Sequence, residues 1–126
     1  MRPPLRWTAA ALYAAGIFIL SSIPDLAPKG PRVGGIDKLA HAVLYFFFAA
    51  VLWWALRGSG AAYAALFAVL VAAVFGATDE FHQHFVPGRV MSLLDWLADL
   101  AGAALWPAAL RLKRRRAIPP RQRPAP

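Results

Sequence analysis

Asp37, His41 and Tyr45 stand four residues apart, a spacing that lines a carboxylate, an imidazole and a phenol along one stripe of a helix. A second polar run, Asp79-Glu80-Phe81-His82-Gln83-His84-Phe85-Val86-Pro87-Gly88-Arg89, adds two carboxylates, two imidazoles, an amide and a guanidinium. A third places Asp95 and Asp99 four apart behind Ser92, with Gly102 continuing the stripe. Carboxylate and imidazole together can move protons, with Glu80 or His41 as the candidate general base. They can also hold a divalent cation, for which His41, Glu80, His84, Asp95 and Asp99 are the candidate ligands. The planar fork of Arg89 suits a phosphate, to which it can donate paired hydrogen bonds. The chain has no cysteine, which excludes thiolate nucleophiles and Cys-ligated metals. It also lacks the H-E-x-x-H spacing of a zinc hydrolase helix.

Several of these residues have plainer roles available. Asp37 can cap a helix starting after Gly34-Gly35. Ser92-x-x-Asp95 has the form of a capping box, and Phe81 and Phe85 are packing residues. Asp99 resists such an explanation, because it lies a turn deeper in an apolar stretch, where a bare carboxylate is costly. It must be neutral there, or held by Arg89, His41 or a bound cation.

The elements that position these groups belong to a membrane. Hydrophobic residues make up 60% of the 126 positions and charged residues 16%, against about 45–50% and about 25% in a soluble domain. A mean hydropathy of +0.50 also excludes a disordered chain. Four apolar stretches, near residues 7–23, 39–56, 61–78 and 93–112, match the roughly 17–25 residues needed to cross a bilayer. The expected fold is therefore all-α, a polytopic bundle of four transmembrane helices. Residues 1–112 would form the transmembrane domain and residues 113–126 a basic, Pro-rich, disordered cytoplasmic tail. Residues 24–35, rich in Pro and Gly, read as a loop, and Arg57-Gly58-Ser59-Gly60 as a tight turn. A cleaved signal peptide is the competing reading of the first stretch.

Orientation follows from the basic residues, which are retained on the cytoplasmic side. Arg2, Arg6, Arg57 and the seven of the tail make ten, against Lys29, Arg32, Lys38 and Arg89 in the other two loops. Both termini are thus expected inside. On that count five of the six acids and all three histidines fall at or near the outer ends of the second, third and fourth stretches, although neither type entered the count. Seven of the fourteen basic residues lie in the last sixteen positions, so the +8 charge belongs to a tail drawn to anionic lipid, not to a nucleic-acid surface. Trp7, Trp53, Trp54, Trp96 and Trp106 suit the membrane interfaces.

Taken in order, Asp37-Lys38-x-x-His41-x-x-x-Tyr45, Glu80-x-x-Gln83-x-Phe85-x-Pro87-Gly88-Arg89 and Ser92-x-x-Asp95-x-x-x-Asp99-x-x-Gly102 carry a resemblance. With the Ser21-Ser22-x-Pro24 end of the first span, this pattern resembles the VanZ-like family of small bacterial membrane proteins, over residues of about 12 to 106. The resemblance implies a multi-pass protein of the bacterial cytoplasmic membrane, with Asp37, His41, Glu80, Gln83, Arg89 and Asp95 as signature positions. It also implies a link to teicoplanin-type glycopeptide resistance, from which the family is named. Asp99 departs from the pattern, since the family usually has Asn there. The function expected is binding of a cell-envelope or lipid-linked, phosphate-bearing intermediate. The binding candidates are Asp37, Lys38, His41, Tyr45, Glu80, Gln83, Arg89, Asp95 and Asp99. Two alternatives stay open: a membrane-embedded hydrolase or transferase using the same cluster, and a non-catalytic assembly or proton-conducting element. No organic cofactor is expected, and a divalent cation is the one addition these residue types would accept.

Overall fold

The computed structural model describes residues 3–24, 35–58 and 63–116. They form four helices: α1 (Pro3–Ser21), α2 (Ile36–Gly58), α3 (Ala64–Gln83) and α4 (Leu93–Arg116), with no strand among the described residues. Each is long and apolar enough to cross a membrane. Helices are the open-chain solution there, because hydrocarbon offers no partner for a backbone N–H or C=O left outside the segment. The loop over residues 25–34, the turn at Ser59-Gly60 and the tail over residues 117–126 lie outside the described residues.

The helix ends differ from the apolar stretches in ways that bear on the site. α2 begins three residues before its apolar stretch, at Ile36. Gly35 turns the chain with φ 99, and its carbonyl accepts from Leu39 N at 2.9 Å. A left-handed φ suits glycine alone at low cost, so Asp37 is not the capping residue but the second residue of the helix. α3 runs on to Gln83, which makes Asp79, Glu80 and His82 helical. Successive turns, Phe85 N to His82 O and Val86 N to Gln83 O, both 3.0 Å, then lead into Pro87-Gly88. α4 continues through Lys113 to Arg116, so the first four residues of the basic tail are helix, which corrects the expectation of disorder from residue 113.

The packing inverts that of a soluble bundle. Ala10, Ala49, Ala68, Ala72 and Ala103 are buried, as are Gly76 and Gly102, while Leu12, Ile19, Val74 and Leu105 face outward. Lipid tails are as apolar as leucine, so burying large side chains gains little, whereas small residues let backbones come close enough for dispersion and hydrogen bonds to act. At Gly102 the approach is so close that a Cβ would fall on the Ala42 carbonyl of α2, with Ala42 C and Cα at 2.7 Å. Phe48 ties three helices together through rings of Tyr13 at 5.7 Å, Tyr45 at 5.9 Å and Phe75 at 5.2 Å. Tyr13 donates to Leu44 O at 3.0 Å, and Trp96 to Ala73 O at 3.0 Å. Trp96 is thus a crosslink from α4 to α3 and not simply an interface anchor.

At one end of the bundle Arg6 donates to Trp54 O at 3.3 Å and lies 5.1 Å over that indole, while Arg57 lies 5.2 Å over Trp53. The start of α1 and the end of α2 therefore meet at a basic, aromatic end, leaving the polar residues to the other.

Candidate functional site

At that other end the close of α1, the start of α2, the close of α3 and the start of α4 come together. The polar side chains form two networks.

The first joins α2, α3 and α4. Lys38 Nζ lies 2.9 Å from Asp37 Oδ2 and 2.8 Å from Asp95 Oδ1. Roughly a turn deeper on each helix, His41 Nδ1 meets Asp99 Oδ1 at 2.9 Å, where Asp99 is 1% exposed. The two pairs stack because three- and four-residue steps share a helix face. Gly76 of α3 leaves room for this: a Cβ there would lie 3.1 Å from Asp99 Oδ2 and 3.2 Å from Tyr45 Cε1.

Glu80 enters from α3. Its Oε2 accepts from Ser92 N at 2.7 Å, just before α4 begins, where amides lack intrahelical partners and the helix dipole favours a negative charge. Ser92 Oγ accepts from Asp95 N at 3.3 Å, so half of the capping box forms. The other half is supplied by Glu80, because the Asp95 carboxylate is turned to Lys38. Glu80 is 3% exposed, and its Oε1 is buried without a hydrogen-bond partner. His41, Glu80 and Asp95 each present one ligand atom, all within 4.8 Å of one another. Tyr45, 1% exposed, also has an unpartnered hydroxyl, and the carboxylates acting on it are Asp99, Asp79 and Glu80.

The second network joins α1 to α3. Ser21 Oγ donates to Asp79 Oδ1 at 2.6 Å and Gln83 Nε2 donates to Asp79 Oδ2 at 3.0 Å, so both oxygens of a buried carboxylate are satisfied. Beside it Ser22 Oγ and His82 Nε2 are 3.0 Å apart, with the Phe18 ring 4.4 Å from the imidazole.

The structure thus brings together Asp37, Lys38, His41, Glu80, Asp95 and Asp99. Gln83 belongs to the Asp79 network, as its partner across one helical turn. His84 is exposed, with its ring against Phe85, and stands apart from the three ligand atoms. Asp99 serves His41 and not Arg89. Arg89 makes no ion pair among the described residues, and its Nε is buried without a partner. Ser21 and Asp79 were not among the candidates. The available signal was the Asp79–Gln83 spacing together with a Ser pair at the matching end of α1.

A family model described as VanZ/LLP1 matches residues 4–114, which takes in all four helices and every polar group above. The chain belongs to the VanZ/LLP1 family. Comparison with curated proteins and with solved structures gives no match. In this VanZ/LLP1 chain position 99 is a carboxylate with an imidazole partner of its own.

Proposed function

We propose that this VanZ/LLP1 protein binds a phosphate-bearing, lipid-linked envelope intermediate at the polar end of its bundle, on the outer face of the bacterial cytoplasmic membrane. The observation that carries this reading is Arg89. Carboxylates Asp37, Glu80, Asp95 and Asp99 lie at the same end, yet the guanidinium pairs with none of them among the described residues. A partly buried arginine left without an anion is a ready donor fork for phosphate. The ten-to-four bias of basic residues supports the outward placement of that end. The teicoplanin link implied by the family resemblance would follow from altered handling of such an intermediate.

The test uses the full chain in lipid nanodiscs, with native mass spectrometry of bound polyprenyl phosphate against the unphosphorylated polyprenol. The phosphate form should be retained preferentially, and Arg89→Gln should weaken it about tenfold or more, the scale of one charged hydrogen bond. Equal retention of both lipids, or unchanged binding in Arg89→Gln, would refute the reading.

One observation favours a catalytic second reading. The Asp99–His41 contact at 2.9 Å orients the imidazole as an acid does in a general-base dyad. Under that reading the recovered lipid would be chemically converted, which the same spectra would reveal.

A further inference from the structure

The first network contains more negative charge than it neutralises. Four carboxylates, Asp37, Glu80, Asp95 and Asp99, share a single lysine among the described residues, Lys38, which pairs with Asp37 and Asp95. Asp99 is met by His41, and Glu80 only by the Ser92 amide. The second Glu80 oxygen has no hydrogen-bond partner, although the residue is 97% buried by its 3% exposure. A buried anionic oxygen without a donor is costly, and such groups are normally paired or bound to a metal.

The chemistry of His41 points the same way. With Asp99 ionised its carboxylate only accepts, and the contact at 2.9 Å then has Nδ1–H of a neutral imidazole donating to Asp99 Oδ1. The lone pair is then on Nε2, free for a ligand. A carboxylate behind a histidine, fixing its tautomer and orientation, is the usual arrangement behind a metal-bound imidazole. Around one ion at about 2.0–2.2 Å, ligand atoms lie about 3.5 Å apart in a tetrahedron. The groups of His41, Glu80 and Asp95, within 4.8 Å of one another, need close by only about an ångström.

We infer that His41, Glu80 and Asp95 form a binding site for a divalent first-row transition ion, with Asp99 as the positioning residue behind His41. The one imidazole nitrogen suits Zn²⁺, a borderline ion, and the two carboxylate oxygens also suit the harder Mn²⁺, whereas Mg²⁺ and Ca²⁺ take all-oxygen sites. Asp95 keeps Oδ1 on Lys38 and contributes Oδ2. Three protein ligands leave coordination positions open, and an anionic oxygen could complete the shell. The ion would also reduce the charge that an acidic pocket sets against a phosphate. The site does not depend on the phosphate reading, because its test adds no polyprenyl phosphate and uses one unvarying lipid throughout.

Metal-stripped protein in nanodiscs of phosphatidylcholine is titrated with Mn²⁺, and free ion is followed by electron paramagnetic resonance. One saturable Mn²⁺ per chain is expected, displaced by Zn²⁺. Glu80→Gln and His41→Gln should each weaken binding at least tenfold, and Asp99→Asn about tenfold, the loss typical of a group behind a ligand. His84→Ala should leave binding unchanged. Far-ultraviolet circular dichroism confirms that each variant keeps its helices. The inference fails if wild-type protein shows no saturable site, whatever the variants do. It also fails if a helical Glu80→Gln binds like wild type, or if His84→Ala weakens binding as much as Glu80→Gln. Mn²⁺ binding with no preference for polyprenyl phosphate would sustain the metal site and overturn the phosphate reading alone.

Discussion

Replacing Gly102 with Ala tests the contact on which the polar end depends. The added Cβ would meet the backbone of Ala42, with its C and Cα at 2.7 Å, whereas carbon atoms rest about 3.5–4.0 Å apart. Backbone cannot rotate aside like a side chain, so α4 and α2 must separate by about an ångström. His41 precedes Ala42, and Asp99 lies one turn before Gly102. Their 2.9 Å contact would therefore stretch toward 4 Å and be lost. Overpacking of this kind costs about 1–3 kcal/mol, and an unpaired buried polar group about 1–3 kcal/mol more, so the expected destabilisation is about 3 kcal/mol. Gly16→Ala is the matched control, because nothing lies within 4 Å of its added methyl. It should be neutral or stabilising by up to about 1 kcal/mol through helix propensity. Reversible unfolding in mixed detergent micelles, followed by tryptophan fluorescence, measures both. If Gly102→Ala falls within about 0.5 kcal/mol of the parent, the ordinary range of a neutral surface change, the close approach and the reasoning built on it are wrong.

Three further outcomes are expected. Asp99→Asn keeps an acceptor for His41 Nδ1–H and should be tolerated, whereas Asp99→Leu leaves that N–H unpaired and should cost about 1–3 kcal/mol in the same assay; equal stability of the two variants would show that the pair is unimportant. Ser21→Ala removes the 2.6 Å donor to buried Asp79 and should destabilise by about 1–3 kcal/mol, and a smaller loss than from Ser22→Ala, whose hydroxyl is partly exposed, would contradict the network. Alkaline phosphatase fused after Pro126 should be inactive and green fluorescent protein at the same point fluorescent, since the ten-to-four bias of basic residues predicts termini inside; active phosphatase would reverse the orientation and put the polar end in the cytoplasm.

Much of the fold was legible because hydrocarbon makes few demands and makes them locally. A run of about twenty apolar residues is a spanning helix whatever its neighbours do. Four such runs fixed the number of helices and, by alternation, which ends share a face. The collection of Asp37, His41, Glu80, Asp95 and Asp99 at one end followed from that alone. The end of α4 was read less well, because apolar runs stop where polarity starts while backbone hydrogen bonding continues, as it does through Lys113–Arg116.

Partnerships were decided by tertiary structure. Spacing put His41 and Asp99 on stripes of their own helices, but only the α2–α4 approach through Gly102 set them 2.9 Å apart. The capping box at Ser92 was half right, since Glu80, twelve residues away, took the amide that Asp95 was expected to hold. The spacing of Asp79 and Gln83 offered one partner within α3, but that Ser21, fifty-eight residues distant, satisfies the other oxygen was visible only in the packing of α1 on α3. Sequence by itself determined which groups share a depth in the membrane, because depth is set by counting along each helix. Which of them touch depends on how each helix is rotated about its axis. That rotation is set by small residues packing against one another, and no periodicity within a single helix encodes it.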